Sequence, residues 1–299
     1  DNYETKGMPT TVGSVLFEGF APDRDAYLVS KLKNAGALLL GKTNMQEFAY
    51  GITNVGSIHG FTRNPYDLTR NPGGSSGGTG AAVAANFAVT GLGSDTCGSI
   101  RIPAAVCGVV GLKPTFGRVS RFGVASLSWS LDHVGPLTRT VRDAAITLKW
   151  LAGYDPRDPG SADEPVDDYL SALDGGVKGL RIGVPRNYFF DLVDGEVDTA
   201  VRAAIEKLQS LGAIVREVEI PFADQIMGVE FGLCLPEASA YHRDALRERA
   251  DLYGDDVRMS LEAGELIPAT DYITALRVRQ KMKDAWQAMY AEVDVVIAP

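Results

Sequence analysis

The chain reads as an α/β protein, a mixed central β-sheet flanked by helices on both faces. Three observations predict this. Apolar runs of strand length alternate with segments of helical periodicity. The alternation is βα-like, which favours a largely buried sheet. The length of 299 residues, 45% of them hydrophobic, allows a sizeable core.

The elements follow in order. Residues 26–34 are expected to be helical, with Leu28, Leu32 and Ala35 on one side. Residues 37–41 form a short apolar run suited to a buried strand. Residues 78–87 are alanine-rich and helical, residues 88–93 and 109–112 read as strands, and residues 141–152 have helical periodicity. Residues 155–165 are rich in Pro, Asp and Gly and read as a surface loop. A strand at 180–184, a helix at 197–211 and a strand at 214–220 come next. Long helices are expected over 236–263 and 271–292, then a strand-like run from residue 293 to the end. There is no internal repeat, and one domain is expected over residues 1–299. The chain opens on Asp1 and stops straight after an apolar run, so both ends are expected to be truncations.

Composition excludes several classes. A formal charge of −9 argues against general nucleic-acid binding, which needs a basic surface. The cysteines, Cys97, Cys107 and Cys234, are odd in number and form no disulfide framework, so a cytoplasmic setting is expected. No apolar run reaches the ~18 residues of a membrane span. Residues 1–7 lack the charged and apolar regions of a signal peptide.

Glycine is concentrated between residues 73 and 123. One piece, residues 71–80, reads NPGGSSGGTG; a second, residues 93–103, reads GSDTCGSIRIP. Glycine beside each serine permits positive φ and close backbone approach. Main-chain N–H groups ahead of a helix stabilise developing negative charge. An oxyanion hole needs this, at ~2.7–4 kcal/mol per donor. A serine nucleophile also needs a base. His59, His133 and His242 are the only histidines, and none stands in a recognisable triad pattern. A lysine kept neutral by burial can serve instead.

These residues resemble the amidase signature family. The matching runs are GGSSGG at 73–78, GSDTCGSIRIP at 93–103 and CGVVGLKPT at 107–115, with further matches at 40–49, 62–67 and 130–139. The resemblance is strong over residues 1–150 and weak beyond. It implies that Ser99 is the nucleophile of an acyl-enzyme. It implies that Ser75 is a bridging serine after a cis Gly74–Ser75 bond, its hydroxyl bonded to that of Ser99. The N–H groups of Thr96, Cys97, Gly98 and Ser99 match the oxyanion loop. Ser76 matches a supporting hydroxyl, and Asp95 and Arg101 a loop-bracing pair. The family's base is a lysine directly before an Asp-Asn pair, here Asp1-Asn2. That places it before the first residue, so the polypeptide as written is expected to be almost inactive. No metal or organic cofactor is implied, and the partner is a small-molecule amide.

Within the family two functions compete. One is a free amidase releasing ammonia, which residues 1–5 and 96–98 resemble. The other is the glutaminase (A-type) subunit of a glutamine-dependent aspartyl/glutamyl-tRNA amidotransferase, which residues 117–123 resemble. It would require partner subunits B and C. An inactive amide-binding fragment is a third reading, and homo-oligomerisation stays open. Plainer readings exist for each motif. GGSSGG alone could be a linker or a nucleophile elbow served by His133 or His242. Residues 36–43 fit a phosphate-binding loop pattern, but their four intervening residues are apolar. Lys42, Lys113 or Lys6 could replace the base. Cys97 could be a nitrilase-like nucleophile, though a small residue in a tight loop explains it better. His59 and His133 read as core or loop histidines, and the acidic residues at 163–168 as a solvated surface.

Overall fold

The computed structural model describes residues 1–299, and they form an α/β protein. Its contacts divide the chain into two compact units: residues 1–170 with 234–267, and residues 171–233 with 268–299.

In the first unit, β1 (Thr90–Asp95), β2 (Val110–Gly111) and β3 (His133–Thr138) make an antiparallel sheet in the order β1-β3-β2. The register sets Ser94 against Val134 and Asp95 against His133. The end of β1 therefore lies beside the start of β3. The helices are α1 (Tyr27–Asn34), α2 (Gly77–Ala84), α3 (Arg101–Val106) and α4 (Val141–Leu151). Thr140 caps α4: its hydroxyl accepts from the Asp143 N–H at 3.1 Å and donates to the Asp143 carboxylate at 2.7 Å. Ala144, Leu148 and Leu151 fall on one face of α4 and are buried. Leu148 and Leu151 pack with Leu28 and Val29 of α1 and with Val134. A second cluster, Val83, Ile100, Ala104 and Leu137, joins α2 and α3 to β3.

The second unit holds a parallel sheet, β5-β4-β6, from β4 (Arg181–Pro185), β5 (Ile214–Val218) and β6 (Val295–Val296). Parallel neighbours need a crossover, and α5 (Gly195–Ser210) provides it between β4 and β5. Asp194 caps α5 by accepting from the Glu196 N–H at 2.9 Å. Acidic residues in its first turn and Lys207 in its last suit the helix dipole. Asp294 accepts from the Arg181 main chain at 2.8 Å and from its guanidinium at 2.7 Å, tying the start of β4 to the approach to β6. Three helices remain: α6 (Ile226–Arg249), whose residues from Cys234 onward count in the first unit, α7 (Asp255–Glu265) and α8 (Ala269–Tyr290). No helix is long and apolar enough to cross a membrane.

Two expectations fail. Residues 37–41 form no strand: nothing pairs with them, and Leu38 and Leu40 are 87% and 75% exposed. An apolar run becomes a buried strand only where a sheet receives it. The helix expected over 236–263 is two helices. The break at 250–254 is held by Glu47, whose carboxylate accepts the Gly254 N–H at 2.8 Å. Such a long-range contact leaves no local sequence signal.

His242 lies on α6, 4% exposed, beside the Phe48 ring at 4.3 Å. Its Nδ1 meets the Tyr253 hydroxyl at 3.0 Å, and its Nε2 has no partner. Burial pushes its pKa down to about 4, from about 6.5 when unfolded. Between these values the unfolded chain binds the extra proton. Stability from this site is therefore full above about pH 6.5 and declines as the pH falls toward about 4. Thermal melts across that window should show a falling midpoint, and His242→Gln should flatten the decline.

Candidate active site

The site gathers where β1 ends. Asp95, fully buried, closes the strand and binds the turn that follows. Its Oδ1 accepts from the Gly98 N–H at 2.8 Å and Arg101 Nη2 at 2.9 Å. Its Oδ2 accepts from the Ile100 N–H at 3.1 Å, and from Arg101 Nε at 3.0 Å and N–H at 3.4 Å. Burial alone would raise the pKa of this carboxyl. The Arg101 hydrogen bonds and charge, with the main-chain donors, outweigh it and hold the pKa below the usual range. The bracing pair expected from the sequence is therefore formed, and Ser99 is presented from this turn, 7% exposed, just ahead of α3.

Ser75 and Ser76 lead into α2. The Gly74–Ser75 peptide is cis, as expected. The Ser75 carbonyl accepts from the Gln46 N–H at 3.1 Å, and the Ser76 N–H donates to the Ser99 carbonyl at 3.2 Å. The last bond joins the two serine segments main chain to main chain. The Ser76 hydroxyl donates to the Ser94 carbonyl and accepts from the Ser94 N–H, both at 3.2 Å. It is thus a clasp between α2 and β1, committed to the scaffold. Gly78 makes the approach of α2 possible. A Cβ there would stand 2.2 Å from the Asn44 carbonyl oxygen, to which the Gly78 N–H donates at 3.1 Å.

Two details differ from expectation. The Ser75 hydroxyl is completely buried and has no hydrogen-bond partner, so it is not bonded to the Ser99 hydroxyl. The main-chain bond from Ser76 to Ser99, not a contact between the hydroxyls, joins the two segments. The Gly98 N–H is taken by Asp95 and so braces the turn instead of facing an oxyanion. Thr96, Cys97 and Ser99 are the other residues that the resemblance assigns to this loop.

None of the substitute bases reaches Ser75, whose hydroxyl touches no donor or acceptor. Lys42 binds Asp1 at 3.1 Å and the Thr10 hydroxyl at 2.6 Å, and burial lowers its pKa to about 8. Lys113 donates to the Pro114 carbonyl at 2.9 Å and is also shifted down by burial. Lys6 is exposed. His133 meets the Leu131 carbonyl at 2.6 Å, and burial, with Lys113 nearby, brings its pKa down to about 4. His59 meets the Thr11 hydroxyl at 2.8 Å. Cys97 is exposed, and the three cysteines form no disulfide.

Sequence reasoning missed two residues. Gln46 holds the Ser75 carbonyl through its N–H, while its side-chain oxygen accepts from the N–H groups of Thr53 and Asn54 at 3.1 and 2.9 Å. Asp132 accepts the Thr96 hydroxyl at 2.6 Å. Both fall inside stretches that matched, but no local pattern reveals what they touch.

Comparison with known proteins bears on the family of the whole chain. A family model described as Amidase matches residues 1–299. An amidase from Pseudomonas putida is 56% identical over 300 residues, covering 100% of this chain and 63% of that protein. The chain thus spans less than two thirds of that relative. The A-type subunit of the glutamyl-tRNA(Gln) amidotransferase from Carboxydothermus hydrogenoformans is 43% identical over 323 residues, covering 100% of this chain and 67% of that protein. Among solved structures, a chain from the inhibitor-bound form of a vestigial complex, tied to the origins of an s-triazine catabolic enzyme, superposes with a TM-score of 0.94. It shares 39% identity and covers 99% of this chain and 64% of that one.

Asp95→Ala would orphan the N–H groups of Gly98 and Ile100, each at a cost of ~1–3 kcal/mol. The urea midpoint should fall accordingly. Arg101→Lys, which keeps the charge and leaves Asp95 its main-chain donors, should lower the midpoint less.

Proposed function

Because the chain belongs to the amidase signature family, we propose that its site cleaves the C–N bond of a carboxylic amide through an acyl-enzyme on Ser99. The observation that carries this reading is the joining of two buried serine segments, 75–76 and 99, by the Ser76 N–H to Ser99 carbonyl bond, beside the buried Ser75. The Ser75 hydroxyl has no hydrogen-bond partner. A buried polar group left unsatisfied in a native structure calls for an explanation, and a catalytic role is one.

The steps follow from the roles. Ser99 Oγ bonds to the amide carbon as its proton passes through Ser75 to a base. The resemblance assigns that base to a lysine directly before Asp1. The carbonyl oxygen becomes an oxyanion facing the N–H groups of Thr96, Cys97 and Ser99. The C–N bond then breaks, and the nitrogen leaves as ammonia or an amine with the proton returned through Ser75. Water attacks the acyl-enzyme and frees Ser99 with release of the acid. Besides that lysine, the steps call only on residues of this chain, the amide and water. We read residues 1–299 as one amidase domain, since the family model runs through both units. We place it in the cytoplasm, in keeping with three cysteines and no disulfide.

The second reading, the glutaminase component of a tRNA amidotransferase, is favoured by the 43% identity to such a component over the whole chain. In that case glutamine supplies the ammonia and a partner protein receives it. Neighbouring genes for the B and C components, and ammonia release confined to glutamine, would select it over the free amidase.

Ser99→Ala in the full-length protein should abolish the acyl adduct seen by mass spectrometry with any amide in a panel that includes glutamine. An undiminished adduct would refute the assignment. Ser75→Ala should lower turnover by ~10²-fold or more, the scale of a lost proton relay; near-normal turnover would remove the bridging role.

A further inference from the structure

The turn from Thr96 to Ser99 is anchored by two different carboxylates. Asp95 holds its far end, through Gly98, Ile100 and Arg101. Asp132 holds its near end. Besides the Thr96 hydroxyl at 2.6 Å, Asp132 accepts from the Ser126 hydroxyl at 2.7 Å and from the N–H groups of Leu127 and Ser128, each at 2.9 Å. It is only 9% exposed. Four donors converge on its two oxygens, an arrangement that suits the ionised, acceptor-only form. Burial opposes that form and raises the pKa, while the four hydrogen bonds work against the rise. The loop it belongs to is held from behind as well. Glu237 on α6 accepts from the Ser128 hydroxyl at 2.6 Å, and from the Ser130 hydroxyl at 2.6 Å and N–H at 3.0 Å. A rigid support thus ends on the side chain of the first residue of the turn.

We propose that Asp132 is a positioning residue for amide cleavage. Through the Thr96 hydroxyl, it fixes the backbone at Thr96 so that its N–H group faces the oxyanion formed on attack by Ser99. This rests on the amidase reading above. The Gly98 N–H is bound to Asp95, and the bond to Asp132 anchors Thr96, the first residue of the loop that the resemblance assigns to the oxyanion. An effect realised only on the oxyanion alters kcat and leaves KM nearly unchanged.

The test uses the full-length protein, with steady-state ammonia release from a neutral amide and the rate of inactivation by a fluorophosphonate as readouts. Thr96→Val keeps the shape and deletes the donor. It should lower kcat and the inactivation rate by ~10–100-fold, the scale of a small misplacement at a reacting centre, with KM nearly constant. Thr96→Ser restores the donor and should recover both rates. Asp132→Asn should resemble Thr96→Val, and the double variant should lose little more than the worse single one, because both act along one path. If Asp132→Asn does not fold, the Thr96 pair decides alone. Wild-type kcat in Thr96→Val would overturn the proposal. So would equal losses in Thr96→Val and Thr96→Ser that track a common drop in melting temperature. Failure of the amidase reading looks different: Ser99→Ala would then still release ammonia. If Ser99→Ala is dead while Thr96→Val is normal, only the positioning role falls.

Discussion

The site depends on one buried carboxylate. Asp95 stands at the end of β1 and collects main-chain N–H groups from the turn that presents Ser99, together with both arms of the Arg101 guanidinium. A buried carboxylate without such partners would take up a proton and stay neutral. Here charge-assisted bonds keep it ionised, and in return it dictates the path of the chain. The same bonds withdraw the Gly98 donor from any reaction.

A second constraint is backbone proximity. α2 can lie against residues 43–46 because Gly78 carries no side chain, and the Thr43 and Thr79 hydroxyls meet at 2.7 Å beside that contact. Ser76 then fastens α2 to β1 through Ser94 and to the turn that carries Ser99 through that residue's carbonyl. With the main chain carrying the cohesion, the Ser75 hydroxyl is left without a structural task. That division of labour fits a relay, which must exchange partners as the proton moves.

Much of this is legible in the sequence. The helices α4, α5 and α8 and the strands β4 and β5 are readable because each has its own periodicity or local caps. The Asp95–Arg101 pair and the cis Gly74–Ser75 bond follow from the family resemblance. The strand β3 carries no such signal, since Gly135 and Pro136 interrupt its pattern and only pairing with β1 and β2 makes it a strand. The same dependence on a partner makes residues 37–41 misleading.

The amino-acid order by itself determined the motifs: two serines in glycine-rich settings, an acid and a base near one of them, and the family to which such runs belong. These are matters of residue type and local spacing, which a linear string records in full. Only the tertiary structure decided which N–H groups are occupied, that Asp132 and Gln46 touch the site, and that the two serine segments are joined through their backbones. Each of those facts is a meeting of residues distant in sequence, and such meetings are set by packing and hydrogen-bond satisfaction, for which no single stretch of chain carries the signal.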